Sequence, residues 1–285
     1  MGQTVPADAR TSPAERVIAI GSACSGKKQG PRPDWPTLPG SVVKSAGRAL
    51  QILEYFDDKR GPANLVDVSR ALGYPESSTS ILLRSLTTLG YLEYDRYGRT
   101  YRPTSRVRLL GDWIEPKLFE GDAIIRLMER IHAETSATVV LAARNGVSAQ
   151  YIYVVQAQTD PIPHLTRGVM RSIVQSAPGY ALLNRIDDIE LAKLVRRVNA
   201  DARNIDDVVK VSDVLGHVAA VRRDGHVHVR SRITPGVSAV AMPVPAGLAS
   251  APLALGIGGR AEQVDGHMPD LAILLHRLMA EALQG

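Results

Sequence analysis

Cysteine is almost absent from this chain: Cys24 is the single one among 285 residues. No internal disulfide can form, and no cluster of thiolates can hold a metal. Aromatic residues are scarce, at 5%, so the cores must be packed from small side chains, many of them alanine and valine. No run approaches the roughly 18 apolar residues of a membrane-spanning helix. The apolar patch Val17 to Ile20 precedes Gly21-Ser22-Ala23-Cys24, but it is too short for a lipoprotein signal, and the acidic Asp8 and Glu15 come before it. No membrane partner is expected, and the expected location is the cytoplasm. Catalytic signatures are missing as well. There is no Gly-x-Ser-x-Gly elbow, no phosphate-binding loop and no His-Glu-x-x-His. Gly256-Ile257-Gly258-Gly259 lacks the third glycine and the following helix of a dinucleotide fingerprint. The reading is of a protein that is not an enzyme and needs no cofactor.

What is present suffices for two domains, at about 150 residues each. Apolar content of 45% supplies their cores, and a formal charge of +5 with a pI near 9.4 suits a polyanionic partner without establishing one. The stretch from Asn64 to Tyr101 is the most informative. Asn64 is a good helix N-cap, and Asp67 in the first turn favours the positive end of the helix. Leu65, Val68, Ala71 and Leu72 share one helical face, and Gly73 ends the helix in the left-handed conformation. Pro75 suits the first turn of a second helix. That helix is expected to run to Leu89, burying Leu82, Leu86 and Leu89 and turning Ser77, Ser80, Ile81 and Arg84 outward, before Gly90 ends it. Small hydroxyls followed by an arginine fit a DNA groove, where hydroxyls bond phosphates or base edges and arginine pairs with phosphate or guanine. A hairpin follows: Tyr91 to Tyr94, a turn over Asp95 to Gly98, then Arg99 to Tyr101. A plain three-helix bundle with a hairpin would share the leucines. It would not call for the serine cluster or the arginines.

The run Leu72-Gly73-Tyr74-Pro75-Glu76-Ser77-Ser78-Thr79-Ser80-Ile81-Leu82-Leu83-Arg84-Ser85-Leu86, followed by Leu89-Gly90-Tyr91-Leu92, resembles the DNA-binding domain of IclR-family transcription regulators. The resemblance continues through Arg99-Thr100-Tyr101-Arg102-Pro103-Thr104, extends more weakly over the C-terminal half, and covers residues 41–280. It implies an α+β chain: an N-terminal winged helix-turn-helix domain, a linker helix, and a C-terminal GAF-like α/β effector-binding domain. The expected divisions are a tail at 1–40, the DNA-binding domain at 41–103, the linker at 104–120, and the effector-binding and oligomerisation domain at 121–285. The expected DNA contacts are Lys44, Arg48, Ser77, Ser78, Thr79, Ser80, Arg84, Arg99 and Tyr101, on a palindromic double-stranded operator.

In chain order, residues 1–40 are rich in proline with no persistent period, and read as a tail whose Lys27, Lys28 and Arg32 would reach DNA backbone if they had a role. Lys44 to Phe56 reads as a helix with Ala46, Ala49, Leu50, Leu53 and Phe56 on its core face. Thr104 to Phe119 carries an apolar stripe of Val107, Leu110, Ile114 and Leu118. A second subunit would cover it, giving a homodimer or a dimer of dimers; packing on the chain's own domains is the alternative. From Gly121, helices and strands interleave. Asn145-Gly146 marks a hairpin between two strands, and Asp270 to Leu283 a closing helix. His226 and His228 share a strand face with His217 near in sequence, but nothing completes a metal site. Ser176-Ala177-Pro178-Gly179 opens a helix, whose unpaired N–H groups suit a carboxylate. With Ala239, Met242, Gly256 and Gly258 it forms the expected pocket for a small organic effector. Some members of the family place cysteine and serines at the positions of Ala239, Gly256 and Gly258, so the resemblance implies a more apolar pocket here, or one no longer used. The alternative for these small residues is close strand packing. On this reading the chain is a sequence-specific, effector-modulated regulator, or else a constitutive DNA-binding protein whose C-terminal domain only assembles it.

Overall fold

The structure, a computed structural model, describes residues 38, 40–111, 123–157, 165, 167–202, 204–230, 234–249 and 251–284. They fall into two units, one within residues 25–121 and the other within 122–285.

The first unit is built from α1 (Lys44–Lys59), α2 (Leu65–Leu72), α3 (Glu76–Thr88), the hairpin β1 (Leu92–Asp95) and β2 (Thr100–Pro103), and a short α4 (Ser105–Leu109). Asn64 caps α2, its side-chain oxygen accepting from the Asp67 N–H at 2.9 Å, and Gly73 ends it at φ 68°. Pro75 is the residue before α3, not part of its first turn. At the far end of α3, Gly90 takes φ 79° and its N–H donates to the Thr87 carbonyl. The Tyr91 N–H reaches back to Leu86. This paired closure, available at low cost only to glycine, turns the chain sharply into β1.

The helix phases differ from the periodic reading on all three helices. On α3 the buried side chains are Thr79, Leu83 and Leu86, while Leu82 is half-buried and Leu89 is exposed. On α1 they are Gly47, Gln51, Ile52, Tyr55 and Phe56, while Ala46 and Leu50 face out. The larger Ile52, Tyr55 and Phe56 bury more area than the alanines, so they set the rotation. Gly47 is pressed against Leu38, where a Cβ would stand 2.7 Å from a methyl group. Ala71 of α2 is exposed too. Of the expected linker helix, five residues are described as helix, and its Trp113, Ile114, Pro116 and Leu118 lie outside the described residues. So do the tail residues Lys27, Lys28 and Arg32.

The second unit is organised on a six-stranded sheet of order β5-β4-β3-β8-β7-β6, antiparallel at every pairing. Its strands are β3 (Thr138–Asn145), β4 (Ser148–Val155), β5 (Met170–Ser172), β6 (Val227–Arg230), β7 (Val237–Pro243) and β8 (Leu253–Arg260). Gly146, at φ 61°, makes the tight link between β3 and β4. Helix α5 (Ala123–Thr135) packs on β3 and β4 and against the closing α10 (Met268–Gln284). A second layer holds α6 (Ala177–Leu182), α7 (Asp188–Ala200) and α8 (Val211–Asp224), with α6 pressed to β7 and β8. The short α9 (Ala261–Gly266), which the sequence pattern did not suggest, follows β8 and packs on β7. Because strand side chains alternate between faces, Val140, Ala142, Ala241 and Ala254 pack under α6. Val139, Leu141, Val240 and Leu255 are buried on the other face.

Candidate nucleic-acid interface and ligand cavity

Ser77, Ser80, Ile81 and Arg84 follow one another along α3 at helical spacing, opposite the buried Thr79, Leu83 and Leu86. Ser77, Ile81 and Arg84 are exposed and Ser80 half-buried. Two of the hydroxyls counted with them are occupied. Ser78 Oγ and Thr79 Oγ1 each donate to the Pro75 carbonyl at 3.0 Å, and Thr79 is fully buried. Thr79 therefore leaves the candidate contact set: its position one residue off the outer face turns it inward, where its hydroxyl closes the first turn. Lys44 is exposed at the start of α1. Arg48 is half-buried with its guanidinium 4.6 Å from the centre of the Tyr74 ring, in the turn between α2 and α3. The Tyr74 hydroxyl meets the Gln51 side chain. Arg48 thus braces the turn that sets the angle of α3, a cation–π contact.

The hairpin stands beside this helix within the same unit. Tyr101 pairs with Ala63 through two backbone hydrogen bonds, and its ring lies 4.7 Å from that of Tyr94. Burial raises the Tyr101 hydroxyl above the ordinary phenol range, Tyr94 adds to this, and the positive charge of Arg84 opposes it. Arg84 on α3 and Tyr101 on β2 therefore share one electrostatic neighbourhood. Arg99 is exposed at φ 51° in the turn. Arg102 is paired with Glu93 across the hairpin. Tyr97 is fully exposed at the hairpin tip, its N–H fixed by the Asp95 carboxylate at 2.9 Å. The turn composition marked this tip as a loop and did not single out Tyr97.

The second unit has a partly open cavity of about 80 Å³ between α6 and the sheet. Its walls include Ser176, Ala177 and Pro178 of the helix start and Ala239, Gly256 and Gly258 of the strands. Two expected members are elsewhere. Met242 belongs to the opposite face of β7, since only Ala239 and Ala241 share the α6 side. Gly179 is buried against the Ile173 backbone, where a Cβ would lie 2.2 Å from the carbonyl oxygen. Gly256 and Gly258 differ in kind. A Cβ at Gly256 would meet Pro178 at 2.9 Å and Val140 at 3.1 Å, whereas at Gly258 it would meet no described atom within 4 Å. Gly256 lets the helix approach the sheet; Gly258 leaves space.

The start of α6 is not the anion site its sequence suggested. Ser176 Oγ accepts from the Gly179 N–H at 3.2 Å and donates to the Ser172 carbonyl at 2.9 Å. The helix is only six residues long. The cavity gains side chains the sequence reading missed: Arg171 from β5, Tyr151 from β4, Gln175 and Thr234. Their signal was hidden because β5, a three-residue strand, had no alternating pattern to reveal it. Among the described residues no set of three His, Cys, Asp or Glu side chains is grouped to hold a metal. His228 instead meets Asp265 at 2.7 Å, Arg230 meets the same carboxylate at 2.6 Å, and His226 lies 3.3 Å from His276. No described helix is long and apolar enough to cross a membrane.

Residues 45–96 match the family model of the IclR helix-turn-helix domain, and residues 122–284 match that of the bacterial transcriptional regulator IclR C-terminal domain. A curated relative, the HTH-type transcriptional regulator XynR of Escherichia coli K12, is 21% identical over 203 residues, spanning 71% of this chain and 81% of the relative. The crystal structure of an IclR transcriptional regulator from Alicyclobacillus acidocaldarius aligns with a TM-score of 0.54 at 20% identity, covering 85% of this chain and 98% of that one. The Thermotoga maritima IclR structure aligns with a TM-score of 0.54 at 17% identity, covering 84% and 98%. At these identities the two structures speak to the fold alone.

Proposed function

The chain belongs to the IclR family of transcriptional regulators, with a DNA-binding helix-turn-helix domain and a C-terminal effector domain, and on that premise we propose that a small organic acid held in the α6–sheet cavity sets its affinity for a palindromic operator. Two copies of α3 about 34 Å apart would read the two half-sites, one turn of DNA between them. Ser77, Ser80 and Arg84 are the side chains proposed to meet the groove, and Lys44, Arg99 and Tyr101 to meet the flanking backbone. Arg48 and Ser78 act through the turn they hold. The observation that carries the regulatory part is the space over Gly258, in a cavity also lined by Ala239 and Pro178, which no described side chain fills. A ligand can shift the equilibrium only through different affinity for the DNA-competent and incompetent states, so the acid must bind this cavity more tightly in one of them.

The test fills the space. A thermal-shift screen of small carboxylic acids identifies a binder, and Gly258→Leu is then titrated with the operator, with and without that acid. The expected result is retained operator affinity and loss of the response to the acid. A normal response in Gly258→Leu would place the effector elsewhere. Operator affinity that no binding acid alters would leave the constitutive reading.

A further inference from the structure

The cavity wall contains one charged side chain among its described residues, Arg171, and no carboxylate. Arg171 comes from β5, an edge strand, paired with Ala149 of β4. It is half-buried, and its positive charge lies near enough to the hydroxyl of Tyr151, itself 8% exposed, to oppose the rise that burial gives that group. Among the described residues no carboxylate lines the cavity to balance this guanidinium, and a partly buried charge beside apolar walls favours an opposite charge. Val140, Pro178, Val237 and Ala239 supply those walls. Gln175 does not compete for the role, since its amide nitrogen donates to the Asp207 carbonyl at 2.5 Å.

We infer that Arg171, with Tyr151 beside it, is the anchor for the carboxylate of a monoanionic effector whose uncharged, apolar body occupies the space over Gly258. The inference rests on the effector-cavity reading above and names the ligand class and the residue that selects it. Arginine offers two parallel N–H groups to a carboxylate, a geometry lysine does not match. The Tyr151 phenol has a proton of its own to donate. Burial raises the Tyr151 hydroxyl above the ordinary phenol range, against the opposing pull of Arg171, so that proton is present at neutral pH. The carboxylate thereby gains an opposite charge and hydrogen-bond donors, while no second charged side chain lines the described wall. A dianion would leave one charge buried and unpaired.

The experiment is calorimetric titration of the full chain with a panel of aliphatic and aromatic monocarboxylates, benzoate and hexanoate among them, each paired with its neutral primary amide. Acids are expected to bind and the matching amides to bind at least about tenfold more weakly, as for the loss of a charged hydrogen-bonding partner. Arg171→Gln is expected to remove that discrimination, Arg171→Lys to restore part of it, and Tyr151→Phe to weaken acids by a few-fold while preserving the ring. Circular dichroism confirms that each variant is folded, and should Arg171→Gln fail to fold, the acid–amide comparison in the native chain and Tyr151→Phe decide the matter. Equal binding of acids and amides, or acid binding unchanged in folded Arg171→Gln or Tyr151→Phe, overturns the anchor while leaving the cavity reading intact. If no acid and no amide binds the native chain, the cavity reading fails and the anchor with it.

Discussion

Three glycines near one another in the second unit show how much a missing side chain can mean different things. Gly179 leaves room for backbone, Gly256 for a proline ring and a valine, and Gly258 for nothing described. The sequence marked Gly179, Gly256 and Gly258 alike as small pocket residues, because small residues reveal that something approaches but not what. Gly179→Ala is therefore expected to lower the stability of the second unit by about 3 kcal/mol or more, since its Cβ would strike a carbonyl that cannot move independently. Gly258→Ala is expected to stay within about 0.5 kcal/mol of the native chain. Urea unfolding followed on the second unit's tyrosines separates the two; equal losses would mean that the space at Gly258 is not there. Met242 illustrates a different loss. Strand alternation puts it one step out of phase with Ala239, and the apolar pattern of β7, buried on both faces, gave no means of telling the faces apart.

At the scale of the element, α2 was legible down to its cap and its terminating glycine, because Asn64 and Gly73 act locally. The rotation of α1 was not. Its alanines and leucines offered a periodic face, yet Ile52, Tyr55 and Phe56 meet α2 and α3 instead, a choice made by tertiary packing. The outer face of α3 was legible, and the exception within it, Thr79, separates fold from interface. Arg84→Ala is expected to weaken specific operator binding by about 1–3 kcal/mol if it reads a base. Gel-shift titration at fixed salt measures this, alongside thermal unfolding. Thr79→Val removes the inward hydroxyl and is expected to act on unfolding rather than on the salt dependence of DNA binding. Unchanged operator affinity in Arg84→Ala would remove that residue from the interface.

At the scale of the whole molecule, the division into a DNA-reading unit and a sheet-based unit was legible from motif and composition. The cavity's polar end was not, since Arg171 and Tyr151 come together only through the pairing of a three-residue edge strand. Leu109 and Leu110, just after the hairpin, are 65% and 53% exposed, an apolar surface that a second copy would cover. Light scattering at micromolar concentration is expected to give at least twice the chain mass of 30.7 kDa; a monomeric mass would contradict the paired-half-site account. The central claim, that one molecule couples an acid in the cavity to DNA at the other unit, is tested most directly by a reciprocal titration. Operator dissociation constants are measured with and without a saturating acid from the panel, and the acid's own constant is measured with and without operator, at one salt concentration. Coupling of this kind predicts a change of about fivefold or more, equal in both directions by linkage. An acid that binds the cavity tightly and leaves the operator constant unmoved would contradict it.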